Sequence, residues 1–278
     1  MNNKLQFESP SFIKRLKGML GVDFYRLFHT PLFYIFLAIA AIIPAMVLGM
    51  TGIADPVTGE INRMYDNTWQ VVAALTPLYV VNDIAEYANM NMVFIFGGIM
   101  VSIFIGHDYK SGYVKQLFTT HAKKQDYMMS KTITCAFAMA SMCITYLFGT
   151  IISGLLTQTS FDVNVGSLII AIISKMIMSL GWASLYTLLN IIFRRYFGIS
   201  IASSFFFGTG ILIIGVAAIF KSLGVDASIL NIFLYGSSVF ACLNSNITTL
   251  LICITMSLGW TVIYNILGSY ILSKCDVY

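Results

Sequence analysis

The sequence predicts an all-α polytopic membrane protein with six transmembrane helices. Both termini lie in the cytoplasm, and an N-terminal interfacial amphipathic helix precedes the first crossing. Three observations predict this. Hydrophobic residues fill 58% of the 278 positions, only 10% are charged, and mean hydropathy is +0.83. A soluble domain carries about 25% charged residues, so this chain has too little polar surface to solvate a globule of its length. Six apolar runs reach the roughly 20 residues that a bilayer core requires, and cations are confined to alternate connections. A soluble enzyme, a disordered chain and a collagen-like fibre are excluded.

The elements follow in order within one domain, residues 1–278. Residues 11–30 (SFIKRLKGMLGVDFYRLFHT) place Phe12, Leu16, Met19 and Leu20 at helical spacing, with Lys14, Arg15, Lys17 and Arg26 interleaved. That pattern predicts a helix lying on the inner headgroups with its basic residues toward anionic lipid. Pro31 resets the chain, and Leu32–Met50 is the first span, with Pro44 predicting a kink. An outer loop, 51–87, follows. Its apolar middle, Thr68–Asn82, is short and contains Pro77, which suits an interfacial or re-entrant segment better than a crossing.

The second span is Ala88–Gly106. The cytoplasmic loop 107–131 is too polar to insert and too patterned for a bare linker. Gly112 breaks it, and Tyr113, Val114, Leu117 and Phe118 then offer apolar side chains around Lys115 and Gln116. A second helical piece covers Lys123–Lys131. Such a short helix can dock on a soluble partner or serve only as a basic, solvated loop. The remaining spans are Thr132–Leu156, Ser167–Phe193, Gly198–Phe220 and Ile247–Leu272.

No Asp or Glu falls inside these spans, and Lys175 is the one charge within them. It sits about two turns from the outer end of the fourth span. Its stem can carry the ammonium outward to the headgroups, or it can contact a substrate or another subunit. The small-residue spacings Gly149–Ser153, Ser179–Ala183 and Ser204–Gly208 permit close helix contact.

Cations fix the orientation. They cluster in the amino-terminal arm, in 107–131, at Arg194–Arg195 and at Lys274, whereas the alternate loops hold only Arg63 and Lys221. The positive-inside rule therefore puts both termini inside, and six crossings agree in parity. The first 30 residues lack the apolar core and small-residue cleavage site of a secretory signal. The five cysteines form no CxxC pair, and the three histidines are scattered, so no metal site is expected. There is no GxxxxGKS or GxxxxGKT phosphate loop, no HExxH and no GxSxG. If the chain drives transport, the energy enters through a separate chain at the inner face.

The six-span layout resembles the membrane subunit of ATP-binding-cassette (ABC) exporters of the type-2 class. So do the start FIKRLKGMLGVDFYRLFHTPLFY, the loop DYKSGYVKQLFTTHAKKQDYMMSKTI and the closing SKCDVY. The acidic residue often found one helical turn before the loop glycine in that class is absent, and Asp108, four residues before Gly112, stands nearest to its place. The resemblance implies that Asp108 and Gly112–Phe118 (Gly112, Tyr113, Val114, Lys115, Gln116, Leu117 and Phe118) form a coupling helix against the ATPase. It also implies that the arm Phe12–Phe28, with Phe12, Lys14, Arg15, Leu16, Lys17 and Arg26, is the interfacial elbow. The implied assembly has two permease chains, identical or homologous, and a dimer of cytoplasmic ABC ATPase subunits that bind MgATP. This chain would hold no cofactor, perform no catalysis and bind no nucleic acid. The implied setting is a bacterial cell membrane, and the implied cargo is a peptide of bacteriocin or lantibiotic type, a lipid or a drug. A polytopic membrane enzyme using His107 and Asp108, and a secondary carrier or channel, are the alternatives.

Overall fold

The computed structural model describes residues 11–50, 53–54, 61–62, 65, 67–72, 90–119, 122–224, 227–243 and 246–274. Within these residues the protein is an all-α membrane protein with six helical segments long and apolar enough to cross a bilayer.

Helix α1 (Phe12–His29) ends at Thr30, whose hydroxyl donates to the Arg26 carbonyl at 2.6 Å. Thr30 is extended, the conformation favoured for a residue before a proline. Pro31 then opens α2 (Pro31–Met50) at the first helical position, where its missing N–H costs nothing. Helix α2 runs through Pro44 as one helix. It lies against α5 (Lys124–Thr157), and a Cβ added at Gly149 would sit 2.1 Å from the Ala41 carbonyl oxygen. The glycine is what lets the two backbones approach.

On the outer side, Ile53–Ala54 (β1) pairs antiparallel with Ile61–Asn62 (β2). A 3₁₀ turn, Thr68–Val71, packs on the outer end of α5, where the Thr68 and Thr159 hydroxyls bond at 2.6 Å. Residues 73–89, which hold most of the expected re-entrant segment Thr68–Asn82, lie outside the described residues.

Helix α3 (Met92–Lys110) is buried on most of its surface. Gly112, at φ +74°, turns the chain into the short α4 (Tyr113–Thr119). Helix α5 follows as one piece of 34 residues, so the expected separate piece at 123–131 is continuous with the third span. It ends at Gln158 in the left-handed conformation. The Asn164 side chain accepts from Gly166 N and caps α6 (Val165–Ile192), which is the bundle's central helix and is buried from Gly181 to Ile191.

The fifth span runs Phe197–Phe220, close to the expected Gly198–Phe220, but it is not one continuous helix. It divides into α7 (Phe197–Gly208) and α8 (Ile211–Ser222) at Gly210, which takes φ +65°. A Cβ at Gly210 would fall 2.2 Å from the Tyr235 ring, so close packing as well as backbone conformation requires glycine. A second departure follows. Residues 227–243, expected to be outer loop, form a 3₁₀ segment (Ala227–Ile232) and α9 (Leu234–Leu243) that dip into the bundle. Trp260 Nε1 donates to the Ile232 carbonyl at 2.7 Å. Trp260 lies 13 residues along α10 (Ile247–Lys274), about 20 Å below its outer end. Ile232 and Phe233 stay 49% and 43% exposed, so it is the Trp260 indole that satisfies the non-helical Ile232 carbonyl at that depth.

At Gly149 and at Ser204–Gly208 the small-residue spacings act as close contacts. Ser204 bonds Ser102 at 2.7 Å, and Gly208 sits against Tyr186 and Ile95. Gly181 packs on Leu234 and Ser257.

Candidate functional site

At the inner end of the bundle four charged side chains from three helices converge. Asp23 and Arg26 are three residues apart on α1 and so share a face. Asp108 is in the last turn of α3, and Lys131 is in the third turn of α5. Lys131 Nζ donates to Asp23 Oδ1 at 2.6 Å and to Asp108 Oδ2 at 2.6 Å. Arg26 Nη2 donates to Asp108 Oδ1, and Ser130 donates to Asp23 Oδ2 at 2.6 Å. The side chains of Asp23, Asp108 and Lys131 are 0% exposed. Two carboxylates face two cations, so the cluster is neutral overall.

Aromatic rings complete the enclosure and bring in α4. The Arg26 guanidinium lies 4.2 Å from the Tyr113 ring centroid, and Lys131 Nζ lies 4.8 Å from that of Phe104. Burial tends to lower the Arg26 pKa, but the hydrogen bond and charge of Asp108 outweigh it and raise it. Burial, assisted by the charge of Asp23, pushes the Tyr113 phenol up, so it stays neutral and offers Arg26 its π face. A second ion pair, Arg15 Nε to Asp126 Oδ2 at 2.7 Å, ties the start of α1 to the start of α5.

These pairs correct the expectation that Arg15 and Arg26 face lipid. Both are drawn inward to carboxylates, whereas Lys14, Lys17 and Phe12 are exposed and Leu16 is half-buried. On α4, Val114 is buried with Tyr127, Met128, Leu188, Ile191 and Leu272. Leu117 and Phe118 pack on that cluster, Phe118 edge-on to Tyr127 at 5.7 Å. Lys115 and Gln116 form the outward face of α4, and Gly112 provides the turn before it. His107 is exposed while both Asp108 oxygens are taken up by Arg26 and Lys131. Among the described residues no group of three His, Cys, Asp or Glu side chains could hold a metal ion.

Lys175 does not snorkel outward. It is buried, and its Nζ donates to Asn91 Oδ1 and, at 2.6 Å, to the Ser238 carbonyl. Trp182 Nε1 donates to Ser238 Oγ at 3.0 Å. Lys175 therefore joins α6 to the start of α3 and to the inserted segment 227–243.

No family model and no curated protein matches the chain.

Sequence reasoning missed Asp23, Asp126, Ser130 and Lys131 as site residues. One signal was present: Asp23 is the lone acid among the cations of Ser11–Thr30, flanked by apolar residues. Chemically the cluster is a clamp. Its charges are paired and enclosed, and pulling one helix away would strand an uncompensated buried charge.

Proposed function

We propose that this chain is the membrane subunit of an ABC-type exporter in a bacterial cell membrane, driven by a separate cytoplasmic ATPase dimer and paired with a second permease chain. The carrying observation is the buried cluster Asp23–Lys131–Asp108–Arg26, which fastens the amino-terminal helix, the second span and the third span to one another and touches α4 through Tyr113. In this proposal a push on the Lys115–Gln116 face of α4 reaches all three helices together. The sequence contributes the other support, since it has no phosphate-binding loop of its own. The proposed cargo is a peptide, a lipid or a drug.

The test is co-purification from native membranes followed by reconstitution. The purified chain alone should hydrolyse no ATP and should bring down a cassette ATPase. The K115E/Q116E variant should stay in the membrane and lose that partner. Solute transport by the lone chain in liposomes, under an ion gradient and without ATP, would overturn the proposal in favour of a secondary carrier. Turnover of a lipid or peptide by the isolated chain would favour an enzyme.

A further inference from the structure

A groove of ≈ 780 Å³ opens between the start of α1, the start of α5 and the inner end of α10. Its floor is apolar and uncovered: Phe12 is 42% exposed, Met129 36%, Ile266 63% and Tyr270 56%. Its rim is basic and hydroxylated, with Lys123, Lys124, Ser269 and Ser273. Lys274 adds a further cation beside it, its Nζ 4.8 Å from the Tyr270 ring centroid. Among the described residues no acidic residue lines the groove, and nearby Asp126 is buried against Arg15.

Depth decides what can lie there. Counting about 20 residues inward from Ile247 puts the edge of the hydrocarbon core near Leu267. The groove residues of α10, from Asn265 to Ser273, straddle that edge. One end of the groove is therefore at acyl-chain depth and the other at headgroup depth. Its occupant must be apolar at the first end and anionic at the second. Basic pockets between helices on the cytoplasmic side suit anionic lipid headgroups.

We propose that this groove binds an anionic phospholipid of the inner leaflet. The phosphodiester lies against Lys123 and Lys124, and the acyl chains run along Ile266 and Met129. The binding is independent of the transport proposal.

The full chain, purified in detergent, is offered equal amounts of phosphatidylglycerol and phosphatidylcholine, and retained lipid is read by native mass spectrometry. Wild type should retain phosphatidylglycerol preferentially. At about 1 kcal/mol per lysine near the surface, K123Q/K124Q should lower that preference about thirtyfold while eluting as a folded protein of unchanged helix content. R194Q/R195Q removes two inner cations outside the groove and should leave the preference unchanged. I266W, which fills the apolar end, should weaken retention of both lipids. The proposal is overturned if wild type shows no preference, if K123Q/K124Q keeps it, or if R194Q/R195Q loses it equally. It is also overturned if K123Q/K124Q keeps the lipid preference but sheds a companion protein, which would make the groove a protein contact.

Discussion

Replacing Lys131 with methionine tests the inner cluster most sharply. The variant keeps the length of the side chain and removes one of two cations from a site where Lys131, Asp23 and Asp108 are 0% exposed. Arg26 still serves Asp108, but Asp23 is left with the Ser130 hydroxyl. Breaking a buried pair by removing one partner costs about 3–5 kcal/mol, most of it the stranded charge. K131M should lose that much unfolding free energy, measured by steric trapping in bicelles. D23N/K131M removes the stranded charge too, so it should be more stable than K131M by about 0.5–3 kcal/mol, the usual range of coupling between contacting residues. Cys135 is buried one turn along α5, and its reaction with a maleimide should speed up in K131M and slow again in the double variant. A loss below about 1 kcal/mol in K131M, the size of an ordinary substitution, would refute the reasoning. So would a double variant no more stable than K131M.

Other outcomes follow from the packing. G149A should separate α2 from α5, because the new Cβ meets Ala41 at 2.1 Å; a loss of about 1–3 kcal/mol in the same unfolding assay is expected, as for overpacking elsewhere. G210A should cost at least about 1–2 kcal/mol from the left-handed backbone alone, and more because Tyr235 must move; stability equal to wild type would show that the break in the fifth span does not need glycine. W182F should lose about 0.5–1.5 kcal/mol with its hydrogen bond to Ser238, and S238A should add little further loss on top of it. A cysteine at Lys123 should react with a charged maleimide only from the cytoplasmic side and one at Asp162 only from outside; reversed labelling would overturn the orientation.

How much of this was legible in sequence depended on the range of the interaction. The first and sixth spans are nearly as expected, because an apolar run of fixed length and a Pro31 boundary are local facts. The turn at Gly112 and the short helix after it were legible for the same reason. The break at Gly210 was not, since Thr209 and Gly210 sit inside a run whose hydropathy stays high. The dip of 227–243 was missed because a helix of 10 residues is too short to count as a crossing. The inner cluster was hidden by distance along the chain: Asp23 and Lys131 are 108 residues apart. Positive charge near a span end has a sufficient topological explanation, and that explanation concealed the pairing of Lys131 and Arg26. Lys175 shows the same limit, for its length allows snorkelling and only the folded bundle supplies Asn91 and Ser238.

Helix α5 runs unbroken through 34 residues, about 51 Å of rigid rod, from beside the basic groove to the Thr68–Thr159 contact on the far side. A rod of that length magnifies small rotations. Tilting it by about 5° about its inner end swings the outer tip by about 4 Å, more than the 2.6 Å that separates the two threonine hydroxyls. A displacement too slight to disturb side-chain packing at one surface can therefore unlatch the opposite one, with no signal passing through the intervening side chains.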